Sequence, residues 1–251
     1  MMFNKIFSKF RKDKYINIDV TELPSMGMFY PQDFTITYKK ATDDDISQYE
    51  SKYIIDDYIT ILSIIKLVVN ANIKLSNNYK FEQIKSIDML YLFLSIVKYT
   101  KGKDISMSYD NTDIIFNQEN FKYFNIPLKY NNAYDSNTLE FVYDGFRYSL
   151  PSSGAEGSIS RFISDMHRVG RLAEFENSSY DFMYFLGGRT QLNNNEIENL
   201  LSIFNDEMTP SDMNIISMLI KDFKGLTKYS LMYNNLIIPF DGSGLGDIWK
   251  L

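Results

Sequence analysis

Cysteine is absent from this chain of 251 residues, and histidine occurs once. The lack of cysteine excludes disulfides, thiolate catalysis and zinc sites with sulfur ligands. A single imidazole is too few for a histidine-rich metal site. Because a chain of this length buries roughly 70 % of its unfolded surface, we expect it to fold with no metal and no cofactor.

Long apolar runs are also missing. The best stretch, residues 59–69, is interrupted by Thr60, Ser63 and Lys66, and it is shorter than the roughly 18 residues that a membrane span requires. The amino end has basic residues but no apolar region with a small-residue cleavage site, so we see no secretory signal. We therefore do not expect a membrane to be a partner.

Basic residues are not in excess either. The chain has 26 basic and 32 acidic side chains, and its formal charge of -6 gives no general attraction to nucleic acid. Aromatic residues, in contrast, are abundant, with 19 Tyr and 19 Phe. Tyrosine suits surfaces that are half buried and half wet, which favours an interaction protein, although an AT-rich genome explains the same composition equally well.

Residues 1–14 form a basic amphipathic arm. Phe3, Ile6, Phe7 and Phe10 recur at helical spacing, with lysines and an arginine between and after them. The arm is interpreted as a docking segment for a partner or as a frayed end, and the short apolar stripe also leaves a membrane-surface helix as an alternative. The docking interpretation predicts contacts through Phe3, Phe7 and Phe10.

A strap, ELPSMGMFYP at residues 22–31, lies between YINIDV and FTITYKK, whose alternation predicts a pair of strands. Its centre, MGM, carries no titratable group, which excludes acid–base chemistry there. Two interpretations stay open: a preordered strap that docks on a partner, or a chain reversal fixed by proline and glycine. In the docking interpretation, replacing Phe29 and Tyr30 with Ala leaves stability nearly unchanged and weakens binding. Its predicted partner-binding residues are Leu23, Pro24, Met26, Met28, Phe29, Tyr30 and Pro31.

Helical and strand patterns alternate along the rest of the chain. Thr42 caps a helix, and two strongly apolar helices follow, the second from Ser86 to Gly102. Strands joined by a turn at Asp144-Gly145 come next, and then the glycine-rich SSGAEGS as a hinge before the helix RFISDMHRVGRLAEF. Two further helices, NNEIENLLSIF and PSDMNIISMLIKDF, precede a hairpin around Asn234-Asn235.

This order predicts an α+β fold, with central apolar helices, two small antiparallel β modules and the strap near the amino end. The predicted parts are the arm (1–14), the strap with the strand pair and first helices (15–102), a β-meander (103–150), and a second helical part with the final hairpin (151–251).

No set of side chains in the sequence indicates catalysis, so we predict that the protein is not an enzyme. His167 and Asp165 are two positions apart on a helix and point to different sides. Arg161, Arg168 and Arg171 recur at near-whole turns and form a loose basic face. This face either contacts an anion or an acidic partner, or forms ordinary surface salt bridges.

Three further segments carry weak ligand signals. The carboxylates of residues 43–45 point around a helix start, where they complement its dipole rather than hold a metal. The SSGAEGS run lacks the lysine of a phosphate loop. The run DGSGLGD at residues 241–247 lacks the final glutamate of a calcium loop, and a tight turn explains its glycines better.

Three of these motifs together resemble the small baseplate hub proteins of T-even-type contractile-tailed bacteriophages. They are the strap followed by FTITYKKATDDDISQY, the apolar Asp-x-x-Tyr-Leu-Phe helix start at residues 88–93, and a final hairpin followed by a Gly-Leu-x-Asp tail at residues 244–249. The resemblance covers roughly residues 20–110 and 180–251. Some members of that group carry Cys-x-x-Cys pairs for zinc in their hairpins, and this chain has none.

The resemblance implies a non-enzymatic role in the central hub of a phage tail baseplate, with hub, tail-tube or tape-measure proteins as partners. The protein would then be found in the virion, or in the host cytoplasm during assembly. Trp249, the only tryptophan, is a further predicted partner contact. If the fold is shared, aromatic packing replaces the metal in the hairpins. The aromatic residues concerned are Phe141, Tyr143, Phe146, Tyr148, Tyr229, Tyr233 and Phe240.

Two alternatives remain open for the function. One is a transient tail-assembly chaperone that holds a hub or tape-measure segment. The other is a phage protein that binds nucleic acid or a host factor through the basic arm.

Overall fold

A computed structural model describes the part of the chain in which the elements below lie. The described residues are 14–52, 58–76, 78–109, 112–116, 128–130, 132–171, 181–186, 189–226, 230–233, 236–239 and 248–249. Helices and small antiparallel sheets follow each other along the chain, so the predicted α+β class is confirmed. No described helix is long and apolar enough to cross a bilayer.

The amino-terminal sheet has three antiparallel strands in the order β1 (Ile16–Ile18), β2 (Ile36–Tyr38) and β3 (Ile73–Leu75). The predicted pair β1–β2 is confirmed, with Ile16 opposite Tyr38. Strand β3 was missed because it follows an apolar helix without a break in hydrophobicity. It pairs with β2 and is the third strand of the sheet.

Three helices pack behind this sheet: α1 (Asp43–Lys52), α2 (Tyr58–Asn72) and α3 (Met89–Lys101). Thr42 and Asp45 cap the start of α1 reciprocally, since the Asp45 N–H donates to the Thr42 hydroxyl and the Thr42 N–H donates to the Asp45 carboxylate. A short 3₁₀ turn at Ser86–Asp88 leads into α3, and Gly102 ends it in the left-handed conformation, as predicted. Residues 89–97 are all buried, which makes α3 the central helix.

The predicted β-meander is divided between two sheets. Strands β4 (Ser106–Tyr109) and β5 (Thr112–Ile115) form a separate hairpin. Strands β6 (Tyr134–Asp135), β7 (Glu140–Tyr143) and β8 (Phe146–Tyr148) form a three-stranded sheet.

The turn between β7 and β8 is the predicted one. Asp144 and Gly145 both have positive φ, which a two-residue hairpin of this kind requires. Part of the predicted meander, the stretch FNIPLKY at residues 124–130, lies mostly outside the described residues, and its end, Leu128–Tyr130, is a 3₁₀ turn.

The second half contains α4 (Ser153–Arg168), α5 (Asn194–Ser202) and α6 (Pro210–Leu226). Helix α4 begins at Ser153 rather than at Arg161, because the Ser152 hydroxyl accepts a hydrogen bond from the Ala155 N–H and caps it. The SSGAEGS run is therefore the first part of a helix, and the prediction of a hinge was wrong. A π-helical turn, Ile203–Glu207, continues α5, and strands β9 (Ser230–Tyr233) and β10 (Leu236–Pro239) form the predicted final hairpin.

Three apolar clusters hold these elements together. The first core joins the amino-terminal sheet, α1 to α3 and the β4–β5 hairpin. The second core joins α4, α5, α6 and a 3₁₀ turn at Asp181–Phe185. The bridging core lies between them and contains Phe29, Ile87, Tyr130, Phe141, Tyr148, Leu150, Tyr184, Leu219 and Phe223.

Polar contacts also connect the two halves. The Ser86 N–H donates to the Pro151 carbonyl at 2.9 Å, and the Ser153 N–H donates to the Ile84 carbonyl at 2.7 Å. Beside these bonds, Lys66 on α2 forms a 2.5 Å salt bridge with Glu156 on α4. The start of α4 is thus attached to the segment that leads into α3.

Candidate partner-docking surface

The strap, residues 22–31, lies mostly inside the molecule. The Phe29 ring is 4 % exposed and packs in the bridging core, and Tyr30 is 6 % exposed and packs in the first core. The prediction that these two rings anchor a partner was therefore wrong, because contacts within the chain bury both of them. Leu23 and Pro24 are buried as well, and Met28 and Pro31 are half-buried. Of the predicted contacts in the strap, Met26 is exposed, at 37 %.

A buried carboxylate holds the strap in place. Asp88 accepts hydrogen bonds from the Ser25 N–H at 2.8 Å, the Ser25 hydroxyl at 2.7 Å and the Tyr30 hydroxyl at 2.7 Å. The Tyr30 oxygen in turn accepts a bond from the Lys85 N–H at 2.8 Å. The strap is thereby bonded to the turn that starts α3, 63 residues further along the chain.

Burial shifts the pKa values of the two charged groups in this network, Asp88 and Lys85. It raises the pKa of Asp88 to about 6, although the hydrogen bonds from Tyr30 and Ser25 act in the opposite direction. It also lowers the pKa of Lys85 to about 8. The Lys85 ammonium donates to the Leu150 carbonyl at 3.3 Å and lies 5.6 Å from the centre of the Phe29 ring.

The network fixes a conformation and offers no reaction site. Ser25 and Asp88 each have 0 % exposure, so no substrate reaches the hydroxyl or the carboxylate. A serine beside an aspartate and a lysine is an arrangement in which the serine can act as a nucleophile and a neighbouring group as its base. Here the hydroxyl instead donates to the carboxylate, and the carboxylate is fully used in holding backbone and side chain of the strap.

Successive tight turns explain the shape of the strap. Gly27 has a φ of 74°, and Met26 and Phe29 also adopt positive φ, at 56° and 70°. A left-handed conformation costs a residue with a side chain roughly 1–2 kcal/mol, and the Asp88 network and the burial of Phe29 offset that cost. The chain-reversal interpretation therefore describes the strap, with Met26 exposed at its bend.

Trp249, predicted as a partner contact, belongs to the first core. Its indole ring is half-buried and meets the rings of Tyr49 and Phe93 edge-on, with centroids 6.1 and 6.0 Å away. The neighbouring Ile248 is buried in the same core. Trp249 thus attaches the tail of the chain to the central helix α3.

The predicted basic face divides into three separate environments. Arg168 and Arg171 form salt bridges of 3.4 Å with Asp165 and Glu198. Arg161 is exposed at a cleft of about 550 Å³ between α4 and residues 191–196. Of the two interpretations of the basic face, ordinary surface salt bridges describe Arg168 and Arg171. Acidic residues also line the cleft beside Arg161, so the cleft has no single sign of charge.

The predicted arm contacts Phe3, Phe7 and Phe10 lie outside the described residues. Among the described residues, no group of three or more histidine and acidic side chains is arranged to hold a metal ion.

An apolar groove on the second core was missed by sequence reasoning. Its volume is about 320 Å³. It is lined by Gly145, Phe146, Arg147, Phe182, Phe185, Leu186, Leu200, Ile203, Phe204 and Met208. These residues come from the β7–β8 turn, the 3₁₀ turn at Asp181–Phe185 and the end of α5. No continuous stretch of the sequence therefore predicts the groove. The one local signal in the sequence is the cluster of apolar residues around position 203. In the structure, Ile203 in this cluster is 36 % exposed.

Comparison with known proteins gave no relative: no family model, no curated protein and no solved structure matches the chain.

Proposed function

We propose that the protein is a non-enzymatic component of the central hub of a bacteriophage tail baseplate and acts by docking to other tail proteins. The proposal rests on the resemblance of three sequence motifs to the small hub proteins of T-even-type phages. It assigns the protein no substrate and no cofactor.

One observation carries the proposal: among the described residues, the strap and Trp249 of the tail motif both contact the Asp-x-x-Tyr-Leu-Phe helix start. The strap is bonded to Asp88, the first residue of the Asp-x-x-Tyr-Leu-Phe motif. Trp249, the last residue of the tail motif, packs on Phe93, the last residue of that helix motif. Motifs far apart in sequence that depend on each other in space are what a common fold requires, which supports the resemblance.

The surface is compatible with protein docking. Both two-stranded hairpins, β4–β5 and β9–β10, have no further strand beside them among the described residues, and open strand edges are surfaces on which another chain can add a strand. Ile115 in β5 is 48 % exposed. These edges, rather than the buried rings of the strap, are the places where we expect tail proteins to dock.

The test is co-expression of the tagged chain with the proteins encoded by the neighbouring genes, followed by purification and quantitative mass spectrometry of the complexes and of complete particles. We expect a fixed ratio of this chain to the other baseplate proteins in the particles. A chain found only in assembly intermediates would instead be a transient chaperone. Absence from both particles and intermediates would refute the proposal.

A further inference from the structure

A small cavity lies beside the buried side chain of Lys85. Its volume is about 110 Å³. It is lined by residues of the strap, by residues of the segment 79–85 and by Thr138 and Leu139 of the turn between β6 and β7. Lys85 itself is 6 % exposed and is one of the lining residues, whereas Ser25 and Asp88 are not among them. The lysine therefore adjoins a space that a small molecule can occupy.

The ammonium group of Lys85 has few partners. It donates one hydrogen bond, to the Leu150 carbonyl at 3.3 Å, and none of the salt bridges between described residues includes it. Tyr30 and Tyr79 are the other titratable residues of the lining, and their hydroxyl groups donate to carboxylates. Because an ammonium carries three donors, its burial with so few acceptors disfavours the charged form.

The free amine of Lys85 is accordingly more abundant than that of an ordinary lysine. Burial lowers the pKa of Lys85 from its ordinary value of 10.5 to about 8, although the carboxylates of Asp88 and Glu140 act in the opposite direction. At pH 7 about one such amine in ten is unprotonated, against under about one in a thousand for an ordinary lysine. A lysine activated by burial is the kind that attacks carbonyl groups and forms Schiff bases.

We propose that Lys85 binds a small neutral aldehyde in this cavity as an imine. The ammonium first releases its proton to water, and the amine nitrogen then attacks the carbonyl carbon. The N–C bond forms, a proton moves from nitrogen to the former carbonyl oxygen, and loss of water from this carbinolamine leaves the C=N bond. One amine and one aldehyde thus give one imine and one water, with no oxidant or reductant. Reversible imine formation holds the aldehyde without converting it and does not depend on the proposed tail function.

The cavity selects its occupant by size and by charge. Its volume equals that of roughly four water molecules in the liquid, so an aldehyde of about four non-hydrogen atoms fits. Phe29, Pro31 and Leu139 give the lining an apolar surface suited to an alkyl chain. The carboxylates that act on Lys85, those of Asp88 and Glu140, disfavour an anionic carbonyl compound such as a 2-keto acid. Propanal meets both requirements.

The experiment is labelling of the full chain with propanal at about pH 7, with cyanoborohydride to reduce each imine to a stable propyl-lysine. Peptide mass spectrometry then locates the propyl groups. Lys85 should be labelled at least about tenfold faster than Lys80, which is exposed and lies five residues earlier, because more of its amine is unprotonated. The rate at Lys85 should be half-maximal near pH 8. The bulkier 2-naphthaldehyde should label exposed lysines and spare Lys85.

Variants separate the cavity from general lysine reactivity. Lys85→Met should remove the fast-labelled site. Thr138 is an exposed member of the lining, so Thr138→Phe should narrow the entrance and slow labelling of Lys85 several-fold while labelling of Lys80 is unchanged. Asn137→Phe is the matched control, since Asn137 is exposed and is not among the lining residues.

Circular dichroism checks that each variant keeps the parent fold. The proposal is overturned if propanal labels Lys85 of the folded parent no faster than Lys80. It is also overturned if 2-naphthaldehyde labels Lys85 as readily as propanal does, or if a folded Thr138→Phe variant is labelled at Lys85 as fast as the parent.

Discussion

Asp88 shows how one residue determines the conformation of a distant segment. Its carboxylate is fully buried and accepts three hydrogen bonds from Ser25 and Tyr30. A buried charge is tolerated only when such bonds replace water, and removing the acceptor would leave the donors of the strap without partners. The bonds also stabilise the positive φ of Met26 and Phe29.

The first prediction concerns the pH dependence of stability. Burial raises the pKa of Asp88 from its ordinary value of 3.8 to about 6, so the folded state binds the proton more tightly than the unfolded state. The stability that this group contributes is full below about pH 4 and is lost as pH rises to about 6, a change of about 3 kcal/mol. When the free energy of unfolding is measured by urea titration across this pH range, the parent should lose about this much more stability than Asp88→Asn. The control Asp165→Asn, which removes a carboxylate from a surface salt bridge, should show the same pH dependence as the parent. Parallel curves for the parent and Asp88→Asn would contradict the assignment.

The second prediction concerns Phe29. Because its ring is buried in the bridging core, Phe29→Ala should lower the free energy of unfolding by roughly 3–5 kcal/mol. Met26→Ala, at the exposed bend of the same strap, should change it by about 0.5 kcal/mol or less. Denaturant titration of both variants measures the difference. Equal stabilities would restore the view of Phe29 as a partner anchor.

At the scale of elements, the start of α4 is determined by how closely another segment approaches it. A Cβ atom on Gly154 would lie 2.1 Å from the Thr190 carbonyl oxygen and 2.6 Å from the Glu82 Cβ. At Gly157, one turn later, the same atom would meet nothing within 4 Å. Glycine is a poor helix former, so Gly154 is explained by close packing and Gly157 is not.

The third prediction uses these two glycines as a matched pair. Gly154→Ala should destabilise the protein by roughly 1–3 kcal/mol, because backbone atoms must move to admit the methyl group. Gly157→Ala should stabilise it by up to about 1 kcal/mol, the difference in helix propensity. Thermal unfolding of the two variants beside the parent is the measurement. A stabilised Gly154→Ala would mean that residue 190 does not pack against α4.

At the scale of the whole molecule, the bridging core makes the two halves depend on each other. It contains residues from the strap, the β6–β8 sheet and α6, and it lies beside the backbone bonds between residues 84–86 and 151–153. Large buried aromatic clusters contribute much of the stability of a domain. The first and second cores are therefore expected to unfold together.

The fourth prediction follows from the single tryptophan. Trp249 packs in the first core, so its fluorescence reports on that core, while far-ultraviolet circular dichroism reports on all helices. The two signals should change at the same temperature if unfolding is cooperative. Separate transitions would show that the bridging core does not couple the two halves.

The sequence predicted elements wherever their signals were local. The cap at Thr42, the stop at Gly102 and the turn at Asp144-Gly145 each depend on a few neighbouring residues. The burial of Phe29 and Tyr30 was mispredicted because it depends on Asp88 and on a sheet far along the chain.

The groove was missed for a related reason. Its walls come from three separated segments, none of which has a pattern of its own. Periodicity detects one face of one element, and it carries no information on surfaces assembled from several elements.

The bond between the strap and Asp88 also has a consequence during synthesis of the chain. Ser25 is made 63 residues before Asp88, which at typical rates of translation corresponds to roughly 3 to 13 s. During that interval the left-handed turns have no carboxylate to hold them, and the rings of Phe29 and Tyr30 have no core to enter. The nascent chain therefore exposes an aromatic segment that is buried in the folded protein. Chaperones that recognise unfolded polypeptide can bind this segment while the chain is still on the ribosome.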